Sequence, residues 1–288
     1  CDFGLLNEHS SVSVFCLPAE SFVKLQMILA ASALTALTSL GAQAATFPAD
    51  WSVTGDAGTA APNGDVAAPP AQGPGYYYVS TVNGVDKGGE LEGIGGSGAA
   101  TTGSNVITSS FSAAAGDMIE FFFNYVTSDG AGYADYGWAR LLDATTNSQV
   151  ALLFTARTTP AGSVVPGFEM PTPEATLDPS SVTINNGATV WDVLGSDSGD
   201  CYAVGCGSTG WVKSTYALEA DGTYKLQFGV TNWNDTGYQS AMAFAGAKVG
   251  GVIITPPVDP APVPLPASAL LLGAGMGALG FLRRRKTA

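Results

Sequence analysis

The chain of 288 residues carries 24 acidic and 11 basic side chains, a formal charge of −13, with 12% charged residues and 37 glycines. Four basic residues close the chain and Lys24 precedes the first apolar run, so residues 45–255 hold six basic against 20 acidic side chains, a formal charge of −14. Such a stretch is repelled by phosphate backbones, which excludes nucleic acid as a partner. The one histidine, His9, lies upstream of it, which excludes Ser-His-Asp triads, Cys-His pairs and His-ligated metals.

Residues 1–22 begin without Met and fit no targeting plan. They read as upstream or mis-started sequence, with a start near Val23 and no role for Cys1 or Cys16. Residues 23–44 then follow the order of a secretory signal: Lys24, an apolar run, and small residues at Ala42-Gln43-Ala44. Signal peptidase is expected to cut after Ala44, leaving 45–254 as the exported passenger.

The passenger reads as strands. Ile119, Phe121, Phe123 and Tyr125 fall on one side with Glu120 and Asn124 on the other, and Tyr224, Leu226, Phe228 and Val230 alternate with Lys225, Gln227 and Gly229. Further strands are predicted at 138–143, 150–156, 212–218 and 241–249, separated by turn signals at 128–130, 145–147, 185–187 and 221–222. Nothing between the targeting segments carries a helical stripe. The expected fold is all-β, a β-sandwich of jelly-roll type, flanked by a signal helix and a short C-terminal apolar helix. The Gly- and Pro-rich stretches 55–75 and 88–103 read as long, poorly packed loops.

Three groups of residues are candidates for function. Cys201 and Cys206, the two cysteines left in an exported chain, are expected to form a disulfide that stiffens a loop beside Trp211. Asp129 and Asp235, each in a turn beside an aromatic-rich strand, are the first candidates for a structural calcium ion, although no acid spacing matches a D-x-D-x-D-G loop; solvated turn acids are the alternative. A third acidic loop holds Asp192, Asp197 and Asp200. Trp138, Trp211 and Trp233 are either an aromatic platform for sugar rings or core residues. No pair of carboxyls stands out as an acid and base for glycoside hydrolysis, so no catalytic residue is assigned. Asn234-Asp235-Thr236 fits the glycosylation acceptor pattern.

Residues 255–262 form a Pro-rich spacer. Then come Val263, Pro264, Leu265, Pro266 and Ala267, an uncharged run to Leu282, and Arg283, Arg284, Arg285 and Lys286. The run from Ala267 spans about 24 Å as a helix, short of a ~30 Å hydrocarbon core unless its flanks snorkel, and its cationic end would stay cytoplasmic. This order closely resembles the PEP-CTERM sorting signals of Gram-negative bacteria in their V-P-L-P-A variant, a tail also labelled an ice-binding-protein C-terminal domain. The sequence has no Thr-rich repeat of the kind ice binding needs. The resemblance implies an exosortase that recognises Pro264–Ala267, transient anchoring in the inner membrane, and delivery to the envelope or an exopolysaccharide matrix (a biofilm setting). The segments 128–143 and 228–249 resemble exported PEP-CTERM passengers of unassigned activity and the last strands of carbohydrate-binding jelly rolls. The function expected from these readings is structural or adhesive and non-enzymatic. A carbohydrate-binding module for exopolysaccharide is the alternative, and a glycan hydrolase a further one.

Overall fold

A computed structural model describes residues 47–71 and 73–258. The expected terminal helices, Ala44, Val263–Ala267 and Arg283–Lys286 all lie outside these residues. Within them the chain is a two-sheet antiparallel β-sandwich.

The first part of the chain gives β1 (Ser52–Thr54), β2 (Asp56–Ala60), β3 (Tyr76–Ser80), β4 (Val85–Asp86), β5 (Ala100–Ile107) and β6 (Phe111–Ala113). Three long strands follow: β7 (Met118–Thr127), β8 (Tyr136–Asp143) and β9 (Gln149–Arg157). Short strands β10 (Thr176–Asp178), β11 (Asn185–Asn186) and β12 (Gly207–Ser208) flank a 3₁₀ segment at Asp192–Asp197. The chain then adds β13 (Val212–Ala217), β14 (Gly222–Trp233), β15 (Ser240–Val249) and β16 (Val252–Ile253). One sheet runs β1-β5-β14-β8-β9 and the other β10-β13-β7-β15-β3-β2, with the remaining short strands on their margins. The chain changes sheets at β1–β2, β3–β4, β6–β7, β7–β8, β9–β10, β13–β14 and β14–β15. This alternation of sheets is the connectivity of a jelly-roll type sandwich.

The inner faces meet in an aromatic core. The alternation in β7 sends Phe121, Phe123 and Tyr125 inward, against Phe154, Phe228 and Phe244 from the strands around them. Phe123 stacks on Phe154 at 3.7 Å and Phe228 on Phe244 at 3.9 Å between ring centroids. Each buried ring contributes about 1.5–3 kcal/mol by removing apolar area from water.

Both sheets also carry an outer layer, and here the sequence reading needs correction. Loop 88–103 is not loosely packed. It lies over β8 and β14, where the indole N–H of Trp138 donates to Gly89 O (2.8 Å) and that of Trp233 to Ser97 O (3.1 Å). Gly229 opposes Trp138 in the ladder, and a Cβ there would stand 2.5 Å from the indole, so only glycine lets the ring lie flat. Stretch 55–75 likewise contains β2 and the fully buried Val66. Val66, Tyr76, Trp191 and Leu194 cover a row of small residues on β15, Ala241, Ala243 and Ala245. Alanines on that row let the covering chain approach the sheet closely, and Trp191 is fixed by its N–H to Tyr76 Oη (2.9 Å). Packing also continues past residue 254 into the segment read as linker. Val258 is buried, and its carbonyl accepts the Gly75 N–H at 3.0 Å.

Candidate functional site

The site is built where β7 ends. Three loops converge there: 128–135 after β7, 198–206 after the 3₁₀ segment together with that segment's last residue, Asp197, and 234–239 between β14 and β15. Backbone bonds tie them together. Tyr202 N–H donates to Ser128 O (2.9 Å), Ala131 N–H to Val204 O (3.0 Å) and Ser128 N–H to Gln239 O (3.1 Å). The expected Cys201–Cys206 disulfide is present, with Cα atoms 5.6 Å apart. It closes the loop that carries Tyr202 and fits an oxidising compartment.

Four carboxylates gather among these loops. Asp135 is fully buried and fully used: Oδ1 accepts the Trp233 N–H (2.8 Å) and Oδ2 the Ser240 hydroxyl (2.6 Å), pinning β14 and β15 to the loop. Burial first, then the charge of Asp129, raises its carboxyl well above the ordinary value, against the pull of those two donors. Asp129 is 1% exposed, yet only half used. Oδ1 accepts the Gly130 N–H at 2.6 Å, and Oδ2 has no partner among the described residues. Burial pushes Asp129 up to about 7, opposed by the Gly130 bond and reinforced by the charges of Asp235 and Asp197. Asp197 Oδ2 accepts the Gln239 N–H (2.9 Å) and Asp235 Oδ1 the Gly237 N–H (3.2 Å). None of the ion pairs among the described residues involves these four acids.

The expected calcium pair, Asp129 and Asp235, therefore does share one neighbourhood. Among the described residues, however, no group of three or more His, Cys, Asp or Glu side chains is placed to hold a metal ion. A calcium ion here would have to complete its shell from backbone carbonyls, amides and water.

The tryptophan platform is corrected by burial. Trp138 and Trp233 are 1% and 6% exposed, with their N–H groups spent on loop 88–103. Trp211 sits on the opposite sheet, packed on Tyr76 at 5.7 Å with its N–H on Ala67 O (3.0 Å). The three indoles share no exposed face. The aromatic surface is made of tyrosines instead. Tyr202 (49% exposed) and Tyr238 (38% exposed) are the exposed aromatic side chains of the described residues. Their rings lie 4.9 Å apart, and Tyr133 packs on Tyr202 at 5.5 Å. The Tyr133 phenol is raised by Tyr202 and then by the charge of Asp235, so tyrosines and acids form one surface. Asn234 (φ +75°) and Tyr238 (φ +50°) hold left-handed backbone, a strain that non-glycine residues keep only where the surroundings impose it.

No helix among the described residues is long and apolar enough to cross a membrane. No family model matches the chain, and no curated protein matches it. Among solved structures the chain is similar to the enzymatically active domain of bacteriophage CBA120 tailspike protein 4, at 10% identity and a TM-score of 0.31, over 70% of this chain and 19% of that one. The match spans about a fifth of that structure, and at this TM-score it carries no argument on fold or activity.

Proposed function

We propose that the chain is an exported, non-enzymatic β-sandwich that serves as a structural or adhesive component of the cell envelope or extracellular matrix, and that its three-loop end holds matrix polysaccharide. One observation carries both halves of this reading. The Cys201–Cys206 bridge belongs to an oxidising compartment, and the loop it closes sets Tyr202 between Tyr133 and Tyr238 on the surface. Tyrosine rings of this kind offer flat apolar faces with a polar edge, suited to sugar rings. Export follows the order of the sequence: signal peptidase after Ala44, temporary anchoring through 267–282 with Arg283–Lys286 inside, and processing by an exosortase at Pro264–Ala267. The absence of catalysis in this reading is supported by enclosure. Of the three acids with raised carboxyls, Asp129 and Asp135 are shut away inside the fold, and Asp56 on β2 accepts the side-chain amide of Asn83 (3.4 Å).

The test is fractionation with intact mass, followed by a pull-down on the host's purified exopolysaccharide. A mature species beginning at Ala45 in the outer fraction, retained by the polysaccharide without sugar release, is the expected result. Retention in the cytoplasm, or release of sugars lost in carboxylate variants, would overturn the reading.

A further inference from the structure

The acids beside the tyrosines narrow the ligand, on the reading above that this end binds polysaccharide. We propose that the Tyr133–Tyr202–Tyr238 surface takes a saccharide bearing a free amino group, with Tyr202 and Tyr238 against the sugar ring and Asp235 and Asp197 facing its ammonium.

Four observations converge on this ligand class. First, the exposed aromatic side chains of the described residues, Tyr202 and Tyr238, are neighbours 4.9 Å apart rather than scattered singly. Isolated exposed apolar side chains need no explanation, whereas a cluster marks a contact surface. Second, the charges of Asp235 and Asp197 both bear on Asp129, and the described ion pairs lie elsewhere. A uronate or phosphate would be repelled from this surface, and a neutral sugar would leave its charge uncompensated. Third, Asp129 is enclosed with Oδ2 unpartnered among the described residues. A buried carboxylate without a partner is expensive, and a cation arriving at the adjacent surface lowers that cost. Fourth, the supports are rigid: a disulfide behind Tyr202, cross-loop backbone bonds, and left-handed residues at Asn234 and Tyr238.

An organic ammonium fits better than a metal ion. Aromatic faces attract ammonium groups directly. Calcium wants six to eight oxygens, and no three carboxylate or imidazole side chains are placed for it among the described residues.

The experiment uses the mature protein and three probes: a glucosamine tetramer with free amines, the N-acetylated tetramer, and CaCl₂, each titrated by calorimetry at pH 6. The free-amine tetramer is expected to bind about tenfold tighter than its acetylated counterpart, the size of effect one desolvated ammonium contact supports. Tyr202→Ala is expected to weaken both tetramers and, because Tyr202 is half exposed, to leave the thermal unfolding midpoint unchanged. Asp235→Asn is expected to remove only the preference for the amine. Equal binding of the two tetramers overturns the amine assignment while leaving polysaccharide adhesion standing. Binding of neither tetramer removes the adhesion reading itself. CaCl₂ binding that Asp235→Asn abolishes, with no discrimination between tetramers, assigns the surface to a metal and overturns the proposal.

Discussion

The two ends of β7 treat a carboxylate in opposite ways. Near its start, Glu120 is clamped by Lys213 and by Lys248, the latter at 2.8 Å, and their hydrogen bonds hold its carboxyl below the ordinary value. Just past its other end, Asp129 has a single backbone donor, acidic neighbours, and a carboxyl pushed up to about 7. Two of the six cations of an acidic domain are spent on one glutamate, at the edge of a cleft of about 430 Å³ floored by Phe122. The tyrosine end, with more charge to balance, receives no ion pair among the described residues. A fold under selection for stability alone would spread its cations differently. The contrast marks the clamped end as scaffold and the uncompensated end as the place where a partner is expected.

The strongest way to break this contrast is Asp135→Leu. It leaves the Trp233 backbone N–H buried without its acceptor and the Ser240 hydroxyl with Thr127 Oγ1 alone, and is expected to lower stability by about 3 kcal/mol in denaturant unfolding. Replacing Cys201 and Cys206 by Ser should lower stability by about 2 kcal/mol, the loop-closure value for so short a ring, and loosen Tyr202. Asp129→Asn has the opposite sign. Because its folded value is raised, Asp129 stabilises the native state fully below its ordinary value of 3.8, and this is lost as pH climbs through about 7. The asparagine variant should therefore be more stable than the parent by about 1–2 kcal/mol at pH 8 and show no gain at pH 4, read from paired urea melts. Glu120→Gln sharpens the other end. Its carboxyl is lowered, so its contribution is present above the ordinary value of 4.5 and fades as pH falls through the folded value. Both lysines are partly exposed, so the loss at pH 7 should be below about 1 kcal/mol and shrink in 1 M salt.

Much of this architecture was legible. All six strands expected from periodicity or composition are found, at β7, β8, β9, β13, β14 and β15, because each alternates or carries the β-branched and aromatic residues of a half-buried surface. The disulfide followed from compartment and count. What escaped included short exposed strands of two or three residues, β1, β4, β11 and β16, too brief to show a period, and two longer ones, β3 and β5, whose surroundings hide it. Tyr76–Ser80 does not alternate, since Tyr77 enters the core while Tyr76 packs under Trp191, and β5 is polar and glycine-bearing because loop 81–89 and β14 pair along it. The same outer layers decide between the two readings of the tryptophans. Trp138 and Trp233 are core residues, because a glycine-rich loop uses their N–H groups and apolar faces to hold it down. Tyr133, Tyr202 and Tyr238 are 69 and 36 residues apart along the chain and come together only through loop packing. Tyr133 and Tyr238 each follow a glycine, and Tyr202 follows the bridged Cys201, so no common local signal joins them. Asp129 was found for a sound reason, an acid in a turn after an aromatic strand, but its unpartnered oxygen is a property of the fold alone.

The most direct measurement is a carboxyl NMR titration of the mature protein, free and with the glucosamine tetramer bound. Asp129 should titrate near pH 7 in the free protein and move down on binding, as a neighbouring ammonium favours its charged form, while Glu120 stays below its ordinary value in both. Asp129 titrating near 4 in the free protein, or not moving when the tetramer is bound, would contradict the claim that this end of β7 is left uncompensated for a cationic partner.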